Sequence, residues 1–207
     1  VKVVALEHDI PVFQPQRIKD DYQAIIDMQP DLIITAAYGQ MIPQEVLDCP
    51  RLGCINVHAS LLPKYRGGAP VHYAILNGDD PTGVTIMKLV QKMDAENIIY
   101  HIEIPISNDE TVGELYDRLS ILGAEAIIEA MPAIIEGTNE SIPQDESKVT
   151  YSPVISREQE KIDFNKPAVE VYNHVRGLNP WPGAYTTYQG KTVKIYQGLV
   201  HNCPNAM

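Results

Sequence analysis

Apolar positions along this chain change period several times, and each change predicts an element. Asp31-Leu32-Ile33-Ile34-Thr35-Ala36 is a short β-branched run and predicts a buried parallel strand. Gly53 to His58 and Val84 to Val90 read the same way, and a shorter strand is expected at Pro11-Val12-Phe13. Ile98, Tyr100, Ile102, Ile104 and Ile106 recur at every second position, which predicts a half-buried strand antiparallel to its predecessor. Helical stretches lie between these runs, at Asp20 to Met28 and Pro70 to Leu76. Thr111-Val112-Gly113-Glu114 is a capping-box pattern. It opens a long helix whose buried stripe is Val112, Leu115, Leu119, Leu122 and Ala126, with Pro132 as a site for a kink and Gly137 as its stop. The polar stretch Thr138 to Lys148 predicts a loop, and Pro167 to Arg176 a further helix. Two strand-like pieces close the chain, Ala184 to Tyr188 and Thr192 to Tyr196.

Strand, helix, strand is the order between Gly53 and Val90. Such a crossover predicts two parallel strands with their carboxyl ends on one edge, where α/β sheets bind ligands. Asn56 and His58 stand two residues apart at the end of one of those strands, so they share a face. The loop Ser60-Leu61-Leu62-Pro63 follows at once, then a Gly-rich turn with Arg66. Asp94 follows the next strand and is expected at the same edge. An amide, an imidazole and a carboxylate together fit acyl transfer to an amine without a covalent enzyme intermediate, since no serine or cysteine elbow stands beside His58. Asn56 and protonated His58 can donate to an oxygen that becomes negative, while Asp94 favours the protonated imidazole and relays the amine proton. Plainer readings stand beside these. A lone histidine is commonly structural, Asp94 can cap a turn, Ser60 can form one, and Arg66 can be a solvated charge.

Composition narrows the setting. With 207 residues and 44% hydrophobic content, one folded domain plus a further piece is expected. No apolar run reaches the ~20 residues of a membrane span, and no signal peptide is recognisable at the start. Three cysteines without metal-ligand spacing fit a reduced cytoplasmic setting, and no metal is expected. The net charge of −11 opposes phosphate binding over most of the surface.

The stretch Asn56-Val57-His58-Ala59-Ser60-Leu61-Leu62-Pro63, with Asp94, resembles the signature of the formyl-tetrahydrofolate-dependent formyltransferases. Three further stretches resemble the methionyl-tRNA branch of that family: Lys64 to Pro70, Ala37 to Pro43, and Arg176 to Tyr185. The resemblance implies an α/β, Rossmann-like, mostly parallel sheet that lacks its first units and is followed by the start of a small β-barrel. Residues 1–150 would form the catalytic domain, 151–182 a linker and helix, and 183–207 an incomplete barrel. It also implies transfer of a formyl group from 10-formyltetrahydrofolate to methionyl-initiator tRNA. Asn56, His58 and Asp94 would be catalytic, and Ser60, Leu61, Leu62 and Pro63 would line the folate site. The segments around Ala37–Ile42 and Lys92–Glu96 would enclose the pterin, and Arg66 would lie near the tRNA end. Where the family usually carries glycine two residues after the aspartate, this chain has Glu96. The family's opening Gly-Thr-Pro turn has no match here, and the barrel is short. Weak tRNA binding by a monomer is therefore expected. The rival expectations are a related transferase acting on a small amine, and a fragment that binds folate without catalysis.

Overall fold

In a computed structural model, residues 1–89 and 96–201 are described. Helices α1 (Lys2–Glu7) and α2 (Gln23–Asp27) precede strand β1 (Ile33–Ala36), helix α3 (Gln44–Leu47), strand β2 (Cys54–His58), helix α4 (Pro70–Leu76), and strands β3 (Thr82–Lys88) and β4 (Ile98–Ile104). Helix α5 (Val112–Glu136), helix α6 (Ala168–Arg176) and the hairpin β5 (Ala184–Tyr188) and β6 (Lys191–Ile195) complete the order.

One sheet runs β1-β2-β3-β4. β1 and β2 are parallel, whereas β2 pairs with β3, and β3 with β4, in antiparallel fashion. The α/β class holds, but the expected parallel β2–β3 crossover does not form. A parallel return would have to carry the chain back along the whole of β2. The connection instead spends its length on a loop over residues 59–69 and on α4, which has only 7 residues. A helix of that length rises only about 10 Å. The chain therefore re-enters beside the end of β2, with Thr85 opposite His58.

β1 is an edge strand among the described residues. Its residues alternate between half-buried and exposed, not fully buried as expected, because α5 packs over β3 and β4 rather than over this strand. Pro11–Phe13 forms no strand. Proline has no N–H for a ladder, and three residues give little to pair. The helix expected over Asp20–Met28 is split into a 3₁₀ turn at Ile18–Asp20 and the shorter α2.

Helix α5 follows its sequence pattern closely. Thr111 Oγ1 accepts from the Glu114 N–H, and Glu114 reaches back to the Thr111 N–H, closing the capping box. Val112, Leu115, Leu119, Leu122 and Ala126 are buried against Ile55, Val84 and Ile86 of the sheet. Gly137 ends the helix in the left-handed region, at φ 68°. The β5–β6 hairpin would bury too little to stand alone. Ala184 and Ile195 pack instead with Ile162, Val175 and Leu178. α6 is tied to the start of α5 by the buried Arg176, which donates to the carbonyls of Ser107 and Glu110.

Candidate functional site

Parallel pairing sets Thr35 of β1 beside Asn56 of β2, and antiparallel pairing sets Met87 and Thr85 of β3 opposite Asn56 and His58. Side chains directly across a sheet share a face. Asn56 and His58 therefore project from one face of β2, as the spacing predicts, with a threonine alongside each. The opposite face, with Ile55, is the one α5 covers.

Asn56 is half-buried, and its Oδ1 accepts from Thr35 Oγ1 at 2.8 Å. His58 is buried, and its Nε2–H donates to the Tyr65 carbonyl at 2.9 Å. A carbonyl can only accept, so Nε2 carries a proton there. Tyr65 is itself held from several directions. Its backbone is left-handed, at φ 63°, an uncommon conformation for a non-glycine residue. Its N–H donates to Thr150 Oγ1, and its carbonyl also accepts from Ser152 Oγ at 3.0 Å. Its phenol donates to Asp79 and accepts from Asn77, and burial pushes it up to about 12. Gly67 completes this contact. A Cβ there would lie 2.8 Å from the Ser152 carbonyl oxygen.

The Ser60–Pro63 loop is fixed as firmly. Thr85 Oγ1 donates to the Ser60 carbonyl at 2.7 Å and accepts from the Leu62 N–H at 3.2 Å. The Ser60 hydroxyl donates to the Lys64 carbonyl, and Leu62 is buried with Met87 and Ile98. Ser60 and Leu62 thus serve the loop's own shape, while Leu61 and Pro63 stay half-exposed. Leu61 and Pro63 also line a cleft of about 740 Å³ with Lys64, Asp79, Thr82 and Glu103. Neither Asn56 nor His58 lines that cleft.

Arg66 is 3% exposed. Its guanidinium donates to Gln144 and pairs with Glu146 at 2.8 Å, and Gln144 donates on to the Glu96 carbonyl. Ala37 to Met41 are exposed after β1. Asp94 lies outside the described residues, as do 90–93 and Ala95 of the segment expected to close over the pterin. Cys54 is buried with its thiol pushed up to about 11, mainly by desolvation, so it is a packing residue and no nucleophile.

Tyr65, Thr85, Thr150 and Ser152 were not singled out by sequence reasoning. Pairing between distant segments places them: Thr85 by the β2–β3 register, and Thr150 and Ser152 by the bridge that joins Arg66 to Tyr151. A strand pattern shows that Thr85 is in a sheet, but not that it faces His58. The described arrangement sets a carboxamide and an anchored imidazole on one strand face over a rigid loop, and the Asn56 Nδ2 and, on protonation, the His58 Nδ1 can donate to charge on a carbonyl oxygen.

Residues 3–131 match the family model described as formyl transferase, and residues 154–206 match formyl transferase, C-terminal domain. The methionyl-tRNA formyltransferase of Bacillus thuringiensis subsp. konkukian (strain 97-27) is 54% identical over 200 residues, covering 96% of this chain and 64% of that protein. The methionyl-tRNA formyltransferase of Bacillus anthracis (strain A0248) gives the same figures. The chain thus spans just under two-thirds of the length of these curated relatives. Among solved structures, a 4-N formyltransferase from Francisella tularensis superposes with TM-score 0.77 at 22% identity, covering 91% of this chain and 78% of that one. HypX from Aquifex aeolicus in complex with tetrahydrofolic acid gives TM-score 0.73 at 24% identity, covering 85% of this chain and 30% of that one. These two show a shared fold. Given the match of both family models and the identity across nearly its whole length, the chain belongs to the formyl transferase family.

Proposed function

We propose that this chain carries the catalytic core of a methionyl-tRNA formyltransferase, moving a formyl group from 10-formyltetrahydrofolate to the α-amino group of methionine on initiator tRNA. One observation carries the reading. Asn56 and His58 project together from one face of β2, and the imidazole is buried and anchored through Nε2. The 54% identity to proteins named for this reaction supports the choice of acceptor.

The formyl donor supplies an activated carbonyl carbon. As the amine attacks, negative charge grows on the carbonyl oxygen. Asn56 donates a side-chain N–H to it, and protonated His58 donates another from Nδ1, its Nε2–H being given to the Tyr65 carbonyl. We assign Asp94 to supporting the protonated imidazole by its charge and to taking the amine proton; collapse of the tetrahedral adduct then breaks the bond between the formyl carbon and the folate nitrogen, which receives that proton and leaves as tetrahydrofolate. Leu61 and Pro63, on a loop stapled by Thr85, form an apolar wall for the folate, with Ser60 and Leu62 fixing that wall's shape. We assign Arg66 to bracing this loop, because its guanidinium is buried on Gln144 and Glu146. The chain divides into a catalytic domain (1–150), a linking helix segment (151–182) and a part of the second domain (183–207).

Weak tRNA binding by a monomer in the cytoplasm completes the proposal. The two cations that follow the loop in sequence are paired: Lys64 with Asp79 at 3.0 Å, and Arg66 with Glu146. An overall charge of −11, from 27 acidic against 16 basic residues, opposes phosphate binding over most of the surface. Among the described residues, no helix is long and apolar enough to cross a membrane. The same charge favours a second reading, a small amine as acceptor. The test is formyl transfer by the purified chain to methionyl-tRNA, to glycinamide ribonucleotide and to an amino sugar. Turnover on methionyl-tRNA alone is expected. Turnover only on a small amine would move the chain to that branch, and none at all would leave a folate-binding fragment.

A further inference from the structure

A carboxamide is useful to a developing oxyanion in one orientation only. With Nδ2 toward the charge it donates, and rotated by 180° it sets a lone pair against it. Something must therefore choose the orientation of Asn56. The Asn56 backbone does not, because it is committed to β2. Thr35 is its direct neighbour across the parallel β1–β2 pair, and its hydroxyl lies 2.8 Å from Asn56 Oδ1. A threonine hydroxyl has one proton to give. The Ile55 carbonyl is a second acceptor for it, but at 3.2 Å. The shorter contact places the proton on Oδ1, which leaves both Nδ2 hydrogens on the other side of the carboxamide.

We propose that Thr35 is a positioning residue that holds the Asn56 carboxamide with its Nδ2 donors turned toward the reacting carbonyl. This rests on the reading of Asn56 as an oxyanion donor. Thr35 touches no reacting atom in that account and acts only through Asn56. It lies on an edge strand and is half-buried, so a change in its hydroxyl leaves the main core in place. His58 is treated in the same manner by a different part of the chain, through the Tyr65 carbonyl. The two donors are thus oriented independently, one from β1 and one from the loop after β2.

The test compares wild type with Thr35→Val, which keeps the shape and loses the hydroxyl, and Thr35→Ser, which keeps the hydroxyl. Side-chain NMR of the Asn56 amide, assigned by its absence in Asn56→Ala, should show an ordered amide in wild type and Thr35→Ser. Thr35→Val should show a lower order parameter. In formyl transfer, Thr35→Val should lower kcat about 10- to 100-fold with the KM for the formyl donor within about threefold, and Thr35→Ser should restore kcat to within about threefold. These are smaller losses than removal of a donor outright. An equally ordered amide in wild type and Thr35→Val would overturn the inference, whatever the activity. A disordered amide with undiminished kcat would overturn its role in positioning. Absence of transfer by wild type would defeat the functional reading, and the NMR comparison would then decide the Thr35 contact by itself.

Discussion

The loops that leave β1 and β2 start side by side, because the two strands run parallel, yet they are built in opposite ways. After β2 the chain is tied down by distant residues. Thr85 holds Ser60 and Leu62, Thr150 and Ser152 hold Tyr65, and Gln144 with Glu146 holds Arg66. After β1, Ala37 to Met41 are exposed, and the described tie is Gln40, whose carboxamide accepts from the Ile18 N–H. A group that must meet developing charge gains from a fixed, desolvated setting. A wall that only encloses a flat ligand can adjust. Under the proposed function, the fixed loop would support the chemistry and the open one would admit a ligand edge.

Several substitutions would break or sharpen this contrast. Asn56→Ala should give the largest effect, a fall of about 10²- to 10³-fold in kcat for formyl transfer with little change in melting temperature. Retention of full turnover would remove Asn56 from the reacting pair. Thr85→Val leaves a buried Leu62 N–H and Ser60 carbonyl without their partner. It should cost about 1–3 kcal/mol in urea unfolding. Gln40→Ala, on the open loop, should cost under about 1 kcal/mol in the same measurement, because Gln40 is itself exposed and its bonds to the Ile18 N–H and the Gln16 carbonyl are part-buried and exposed, not fully buried. If Gln40→Ala proved as costly as Thr85→Val, the two loops would not differ as described.

The smallest effect is a pH dependence at the far end of the fixed side, where the loop runs into α4. His72 donates from Nε2 to the Trp181 carbonyl at 3.2 Å, while its buried Nδ1 has no hydrogen-bond partner. Burial holds its pKa below the ordinary 6.5, so the imidazole stays neutral in the fold. The unfolded chain takes up a proton near pH 6.5 that the folded chain resists. Stability from this group is complete above that pH and declines as pH falls below it. Urea midpoints at pH 7.5 and 5.5 should therefore differ more in wild type than in His72→Gln. Equal differences would show that His72 does not contribute. His174 is shifted in the same direction, again mainly by burial, so some acid sensitivity should survive in the variant.

Local signals were legible from the sequence, as was the antiparallel pairing of β4 with β3, whereas the direction of β3 against β2 was not. The Thr111–Glu114 box, the apolar stripe of α5 and its stop at Gly137 depend on residues a few positions apart, and all three form as read. The shared face of Asn56 and His58 depends only on the pleat of one strand. The direction of β3 depends on how residues 59–81 spend their length, and no periodicity records that. The hydroxyls of Thr35, Thr85 and Ser152 were missed for a related reason. Each lies 21 or more positions from the group it serves. Threonine in a strand run reads only as β-propensity until register shows what stands beside it. Arg66 looked like a free cation from its Gly-rich surroundings, and its partners are 78 and 80 positions away.

The most direct test of the central claim is single-turnover formyl transfer to methionyl-tRNA by the purified chain and by His58→Ala, at saturating formyl donor. The account predicts measurable transfer by wild type and a loss of about 10²- to 10³-fold in the variant, with folate affinity little changed. Equal rates in the two proteins would show that the buried imidazole at the end of β2 takes no part in the reaction.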